Sequence, residues 1–314
     1  MNLLWMFVGF MLLFVGGEFV IRSSIALSLK LNIPRLVIGM TVVAFATSLP
    51  ELLVSINAAI NAAPSIAINN VVGSNIANIG LVLGITCIIG NINVKETFYK
   101  VVWPVMFIFS IILWYIVYQD QEINQIDGVF LIVLLIVFIL YVIRFSLTKY
   151  KEGSINNNLV YSSSFKIIIW LIIASLALYY GAEWLVDGAI NVAAEMGYSE
   201  AVIAVSVIAI GTSIPELATS ILAMIKGEQG ISLGNLIGSN IFNIGSVLGI
   251  TSIIKPIKID DIAVFERDII WMLVFAALVM LLALLPRKNV IGKIKGFFLI
   301  FLYSIFLLLV FTTN

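Results

Sequence analysis

The sequence predicts an all-α integral membrane protein of ten transmembrane helices, built as two inverted-topology five-helix repeats. Three observations predict it. Apolar runs of membrane-crossing length recur from end to end, basic residues segregate to one side of the resulting layout, and one polar motif appears twice at a fixed offset.

The apolar runs come first. Of 314 residues, 62% are hydrophobic, 11% are charged and none is histidine, whereas soluble domains carry roughly a quarter charged and about half apolar residues. Runs of about 20 apolar residues match a hydrocarbon core ~30 Å thick. Spans are expected at about 3–29, 35–61, 66–90, 98–118, 126–145, 165–194, 200–225, 231–254, 268–286 and 296–312. The first is too long for a signal-peptide core and lacks a basic leader, so it reads as a retained span. The single cysteine, Cys87, implies neither a disulfide framework nor a thiolate metal cluster. No basic stripe suggests nucleic acid.

The charges then orient the spans. Lys30, Arg35, Lys95, Lys100, Arg144, Lys149, Lys151, Lys166, Lys226, Arg287, Lys288, Lys293 and Lys295 fall on one side. The other side holds Lys255, Lys258 and Arg267, diluted by Asp260, Asp261, Glu266 and Asp268, together with the acidic "DQEINQID" from Asp120 to Asp127. The basic side reads as cytoplasmic, which puts both termini outside the cell membrane. The longest polar connection, "TKYKEGSINNNLVYSSS" at 148–164, is a cytoplasmic linker between a first half, 1–147, and a second half, 165–314.

The repeat completes the fold. "FATSLPEL" (Phe45 to Leu52) returns as "IGTSIPEL" (Ile210 to Leu217), and Glu51 and Glu216 are 165 positions apart. The same offset carries "GSNIANIGLVLGIT" (Gly73 to Thr86) onto "GSNIFNIGSVLGIT" (Gly238 to Thr251), and Glu18 onto Glu183. The two motif regions run from about 39 to 84 and from about 204 to 249. Five spans per half is an odd number, so the second half enters the membrane upside down. Inverted repeats are an architecture of secondary transporters, with ions bound near the midplane. A scaffold descended from a duplicated gene would also repeat, but its similarity would not be densest at the polar residues that cost most in lipid.

Those polar residues suit cations. Pro50 and Pro215 lack an N–H and free the carbonyls of Ala46 and Gly211. Broken helices are tolerated at membrane depth where the loosened backbone is buried or lines a cavity. A charge near mid-span costs about 2.5–3.5 kcal/mol on insertion scales, and no lysine or arginine lies mid-span in the second, third, seventh or eighth span to pair with Glu51 or Glu216. Thr47 and Ser48 precede Glu51 by one turn, as Thr212 and Ser213 precede Glu216. Ser74 and Asn78 share one helix face, as do Ser239 and Asn243. Such hard oxygen ligands suit Ca²⁺, Na⁺, Mg²⁺ or Mn²⁺. Asn75 and Asn240 point elsewhere on their helices and read as interhelical hydrogen-bonding residues. Gly73, Gly80, Gly84, Gly238, Gly245 and Gly249 read as close-packing positions. Two carboxylates carry −2, which one Ca²⁺ or two Na⁺ neutralise; a third Na⁺ leaves +1, worth about 2.3 kcal/mol per 100 mV of membrane potential.

"TSLPEL" with "GSNIANIG", repeated as "TSIPEL" with "GSNIFNIG", resembles the paired alpha-repeats of the Ca²⁺/cation antiporter superfamily, nearest to prokaryotic sodium/calcium exchangers. The resemblance covers the ten-span layout. It implies a cluster of ion sites held by the second, third, seventh and eighth spans, with Ca²⁺ and Na⁺ bound as substrates and no cofactor. Glu51 and Glu216 would be the Ca²⁺ carboxylates, shared with Na⁺ sites, and Thr47 and Thr212 would give oxygens to Ca²⁺. Ala44, Ser48 and Ser74, with Ala209, Ser213 and Ser239, would complete the Na⁺ sites, and Asn78 and Asn243 would line the centre. The first and sixth spans would slide as a pair. The chain would work as a monomer in the lipid bilayer.

The chain departs from the family pattern in having Asn243 where aspartate is common, leaving two central acids. Asn69 stands where the second half has Gly234, and Ala46 where it has Gly211. The nearest rival reading is a proton/calcium antiporter, and a second is a cation channel. An enzyme is the least favoured reading, because the sequence offers no nucleophile–base pair or second metal-ligand set.

Overall fold

A chain crossing lipid must satisfy its backbone hydrogen bonds internally, and the apolar runs do so as helices. The computed structural model describes residues 2–61, 64–149, 159, 162–196, 211–259 and 261–313. Along the chain these form α1 (Asn2–Leu31), α2 (Arg35–Thr47), α3 (Leu49–Ile60), α4 (Pro64–Ile89), α5 (Phe98–Asp120), α6 (Gln125–Lys149), α7 (Ser164–Glu195), α8 (Ile214–Ile225), α9 (Gln229–Ile254), α10 (Val264–Leu284) and α11 (Lys293–Thr313). Among the described residues, eight helices are long and apolar enough to cross a membrane alone, and the bent pair α2–α3 raises the number to nine. Of the expected span 200–225, residues 200–210 lie outside the described residues, and α8 is its remainder.

The chain divides into two compact units, and each draws on both halves of the sequence. One unit comprises Met1–Pro50 and Ile143–Asn235, the other Glu51–Val142 and Leu236–Asn314.

In the first unit α1 and α7 lie antiparallel and touch backbone to backbone. A Cβ at Gly9 would lie 2.6 Å from the Leu185 nitrogen and 2.8 Å from the Gly181 carbonyl oxygen, and one at Gly16 would lie 3.1 Å from the Ala174 oxygen. Leu13, Val20, Ile21, Ile25, Ala174 and Leu178 form the buried seam along this pair. Glu18 of α1 makes ion pairs with Arg22 at 2.7 Å and with Lys226, just past α8, at 2.6 Å. Arg35, opening α2, pairs with Glu228 ahead of α9. α2 and α9 approach at Gly39 and Gly234: a Cβ at Gly234 would meet the Leu36 carbonyl oxygen and lie 2.9 Å from the Met40 nitrogen.

The second unit carries the repeat most visibly. Gly80 and Gly84 of α4 seat against α11, where a Cβ at Gly84 would lie 2.7 Å from Ile300 Cγ1 and 3.1 Å from the Gly296 oxygen. Gly245 and Gly249 of α9 seat against α6 in the same way; a Cβ at Gly249 would lie 2.8 Å from Ile132 Cγ1 and 3.2 Å from the Gly128 oxygen. These four glycines are close-packing positions. Gly73 is not: among the described residues nothing lies within 4 Å of a Cβ built there.

Two short antiparallel ladders cross between the halves. β1 (Ile92–Asn93) pairs with β4 (Val290–Ile291), and β2 (Glu122–Ile123) pairs with β3 (Ile257–Lys258). The β1–β4 end gathers Lys95, Lys100, Arg287, Lys288, Lys293 and Lys295, and the β2–β3 end gathers Asp120, Glu122, Asp127, Asp261, Glu266 and Asp268. α5 runs from one ladder to the other, and its 23 residues rise about 35 Å at 1.5 Å each. The basic and acidic ends of this unit are therefore about a bilayer apart. At the basic end Lys295 is buried and donates to the carbonyls of Leu282, Arg287 and Val290, satisfying backbone oxygens at the end of α10.

Candidate functional site

The first motif lies at a helix break. Pro50 has no N–H to continue the ladder, and Ser48 leaves the helical region at φ −83°, ψ 6°. α2 and α3 meet there at 43°. The second motif breaks at its own serine: Ser213 sits at φ −85°, ψ 3°, and α8 starts at Ile214 with Pro215 second. The same residues at the same offset thus produce the same local backbone. Each glutamate then falls in the first turn of the new helix, Glu51 in α3 and Glu216 in α8. The unsatisfied N–H groups and dipole of a helix N-terminus favour negative charge. Both side chains are 0% exposed.

Around the break of the first unit, Ala44 and Thr47 are buried one turn apart at the end of α2, and Ser48 is buried just beyond it. Ser213 and Glu216 are buried at the start of α8, with Thr212 half-buried. Ala209 lies outside the described residues.

In the second unit, α4 and α9 exchange a four-bond asparagine network. Asn75 Nδ2 donates to the Asn240 carbonyl oxygen at 3.2 Å, and Asn240 Nδ2 donates to the Asn75 carbonyl oxygen at 3.2 Å. Asn78 Nδ2 donates to Asn240 Oδ1 at 3.1 Å, and Asn243 Nδ2 to Asn75 Oδ1 at 3.1 Å. Every bond has its mirror in the other half, so the two helices are related here by a local two-fold. Asn75 and Asn240 do hold the helices together. Ser74 and Ser239 are buried one turn before Asn78 and Asn243. At both of these asparagines the helix loosens into a π-helical stretch, Asn78–Leu83 and Asn243–Leu248, a feature frequent at functional sites.

Burial leaves particular oxygens unused. Among the described residues Ser48 Oγ, Ser213 Oγ, Asn78 Oδ1 and Asn243 Oδ1 are buried without a hydrogen-bond partner. Other hydroxyls share that state, including Ser24, Thr219, Ser232 and Thr251. Their positions 165 residues away hold alanine, valine, alanine and a threonine that bonds back to Val82. Only the Ser48/Ser213 and Asn78/Asn243 pairs, among these neutral side chains, stay unsatisfied in both repeats. An unmade bond on a buried polar group costs about 1–3 kcal/mol, so its recurrence in both repeats points to an occupant that supplies the missing interaction. Each asparagine has its nitrogen committed, so a carbonyl oxygen is what remains to offer. Oxygen ligands of this kind, with carboxylates, suit hard cations.

The model for the family described as "Sodium/calcium exchanger protein" matches residues 1–144 and 166–312. The chain belongs to the sodium/calcium exchanger family. One relative of this exchanger is an uncharacterized membrane protein of Methanocaldococcus jannaschii, MJ0091, 34% identical, the match covering 95% of this chain and 94% of that one. Another is the sodium/calcium exchanger MaX1 of Methanosarcina acetivorans, 28% identical over 99% and 98% of the two chains. The fold is also that of a solved structure of the sodium-calcium exchanger NCX_Mj soaked with 2.5 mM Na⁺ and 0.1 mM Ca²⁺, with TM-score 0.81 and 32% identity over 97% of this chain and 96% of that one.

The asparagine at 243 has a local explanation in this exchanger. Its nitrogen must donate to Asn75 Oδ1, because the Asn75 nitrogen is already committed to the Asn240 carbonyl. An ionised aspartate could not make that bond, and asparagine supplies a donor with no charge. Sequence reasoning missed two asparagines, the half-buried Asn70 and the buried Asn235. Asn70 Nδ2 donates to Ser55 Oγ at 3.1 Å and Asn235 Nδ2 to Ser220 Oγ at 3.2 Å. All four residues obey the 165-residue offset, and that was the signal available to find them.

Proposed function

We propose that this chain is a Na⁺/Ca²⁺ antiporter working by alternating access, with ten transmembrane helices in two inverted five-helix repeats and ions bound near the midplane by Glu51 and Glu216. The observation that carries the reading is the recurrence, in both repeats, of a fully buried glutamate behind a helix break together with buried serine and asparagine oxygens left unsatisfied. Family membership and the names of the exchangers it resembles support the choice of ions.

In this reading Glu51 and Glu216 supply the −2 that one Ca²⁺ or two Na⁺ neutralise. Thr47 and Thr212 add oxygens to Ca²⁺. Ala44, Ser48 and Ser74 with Ala209, Ser213 and Ser239 complete Na⁺ sites, and Asn78 and Asn243 offer the carbonyl oxygens their committed nitrogens leave over. The empty −2 site is too costly to move through lipid, so each reorientation carries one load or the other, which couples the two flows. The glycine-lined α1–α7 pair is the element that slides. The β1–β4 end faces the cytoplasm of a cell whose plasma membrane holds the chain, by its excess of Lys and Arg; the linker 148–164 lies on that side and both termini lie outside.

Purified chain in Na⁺-loaded proteoliposomes tests this by following ⁴⁵Ca²⁺ uptake with and without a pH gradient. Uptake that needs the Na⁺ gradient and persists without the pH gradient is the expected result. Dependence on the pH gradient alone makes the chain a proton antiporter, and rapid flux with no counter-ion makes it a channel.

A further inference from the structure

A cavity of about 280 Å³ opens where α1 begins beside the far end of α7, lined by Trp5, Trp184, Asp187, Gly188 and Asn191. The four α7 residues recur at helical spacing and so share one face. The Trp5 and Trp184 rings meet at 69° with centroids 5.0 Å apart, an edge contact that leaves uncovered some of the ring face a stack would hide. Aromatic belts at membrane interfaces explain the rings but not the exposed carboxylate of Asp187 beside them. Asp187 and Asn191 supply the only side-chain oxygens of the five, too few for Ca²⁺, which takes about six to eight.

The other repeat supplies the comparison. At the 165-residue offset Trp5 becomes Trp170 and Trp184 becomes Phe19, and these two rings also pair, with centroids 6.4 Å apart. There the aromatic pair already holds an ammonium of the chain itself: Lys166 Nζ lies 5.0 Å from the centre of the Trp170 ring. The counterpart of Lys166 is Met1, which has no ammonium side chain, and the counterpart of Asp187 is Arg22. The end without the lysine thus carries a carboxylate where the other end carries a guanidinium. Trp184 lies about 30 Å along α7 from Ser164, the thickness of a hydrocarbon core, so the cavity stands at headgroup level.

We propose that this cavity binds a primary ammonium group, brought by the headgroup of an ethanolamine lipid or by a free alkylamine. The rings attract the charge through their faces, and Asp187 and the Asn191 side-chain oxygen accept its N–H groups. A quaternary choline headgroup satisfies the rings but has no N–H to give Asp187. The site is separate from the exchange reading, because none of its residues belongs to the proposed ion set.

Native mass spectrometry tests this on the purified chain, released from detergent with equal amounts of phosphatidylethanolamine and phosphatidylcholine of the same acyl chains. The ethanolamine lipid is retained about three- to tenfold over the choline lipid, the worth of a charge-assisted hydrogen bond at a partly open site. Asp187→Asn brings the two lipids to within about twofold of each other, and Asp187→Glu keeps the preference. Trp184→Leu lowers retention of both by about two- to fivefold; should it fail to fold, Trp5→Leu removes the other ring with the same effect. Asp187 is exposed, so Asp187→Asn unfolds at the temperature of the parent. Equal retention of the two lipids by the parent overturns the proposal, and so does a preference unchanged in Asp187→Asn. Free ethanolamine separates the two sources. Displacement of the lipid at matching concentration assigns the ammonium to a free amine, and retention against an excess of about a hundredfold assigns it to the lipid.

Discussion

Asn240→Leu exposes the energetics of the asparagine network one bond at a time. The substitution keeps volume and removes both polar atoms of the side chain. Asn78 Nδ2 loses its acceptor, and the Asn75 carbonyl loses the Asn240 donor. Stranding the buried amide nitrogen costs about 1–3 kcal/mol, and the bond lost at the carbonyl adds about 0.5–1.5 kcal/mol. The carbonyl counts for less because it retains its place in the α4 ladder. The sum, about 2–4 kcal/mol, corresponds to a fall of about 4–16 °C at the ~2–4 °C per kcal/mol of domains of 150–250 residues. Asn75→Leu strands a different set, Asn243 Nδ2 and the Asn240 carbonyl. The two substitutions therefore add, although the residues touch and contacting residues usually couple. Tryptophan fluorescence during heating in detergent measures all three variants. A double variant no worse than either single one, or Asn240→Leu as stable as the parent, refutes the bond-by-bond reasoning.

Glu51→Gln and Glu216→Gln each abolish Ca²⁺ exchange while the protein still inserts, and a wild-type flux in either removes its residue from the site. Gly84→Ala and Gly249→Ala force a Cβ to within 2.7 and 2.8 Å of Ile300 and Ile132; each destabilises by about 1–3 kcal/mol, whereas Gly73→Ala leaves thermal unfolding unchanged. Glu18→Gln releases two partly exposed ion pairs and costs less than about 1 kcal/mol, an effect that shrinks further when unfolding is followed in high salt.

The polar residues announced themselves because lipid makes them expensive. Pro50 and Pro215 marked the breaks, and the 165-residue offset marked Asn75, Asn78 and their mates. The reading of four glycines as contact points rests on the same logic, and Gly73 shows where it fails, because a glycine is equally compatible with a touching neighbour and with open space. The π-helical stretches at Asn78 and Asn243 were not legible, since a shift of one hydrogen-bond register leaves no mark on composition. Nor was the favourable placement of Glu51 and Glu216 in a first helical turn, which depends on the serine dihedrals and not on the proline alone. Asn70 and Asn235 stand at the edge of the repeat, next to the unlike pair Asn69 and Gly234, and a lone asparagine there is equally compatible with a helix end facing water.

The ladders between β1 and β4 and between β2 and β3 have a bearing on biosynthesis. Strand β1 is translated almost two hundred residues before its mate, so the first five helices enter the bilayer with that edge waiting. Closing it depends on long-range pairing, the slow kind, and comes only after the ninth predicted span has been made. Truncations that stop short of Val290 should consequently yield chains that insert but remain open to protease at the β1 connection.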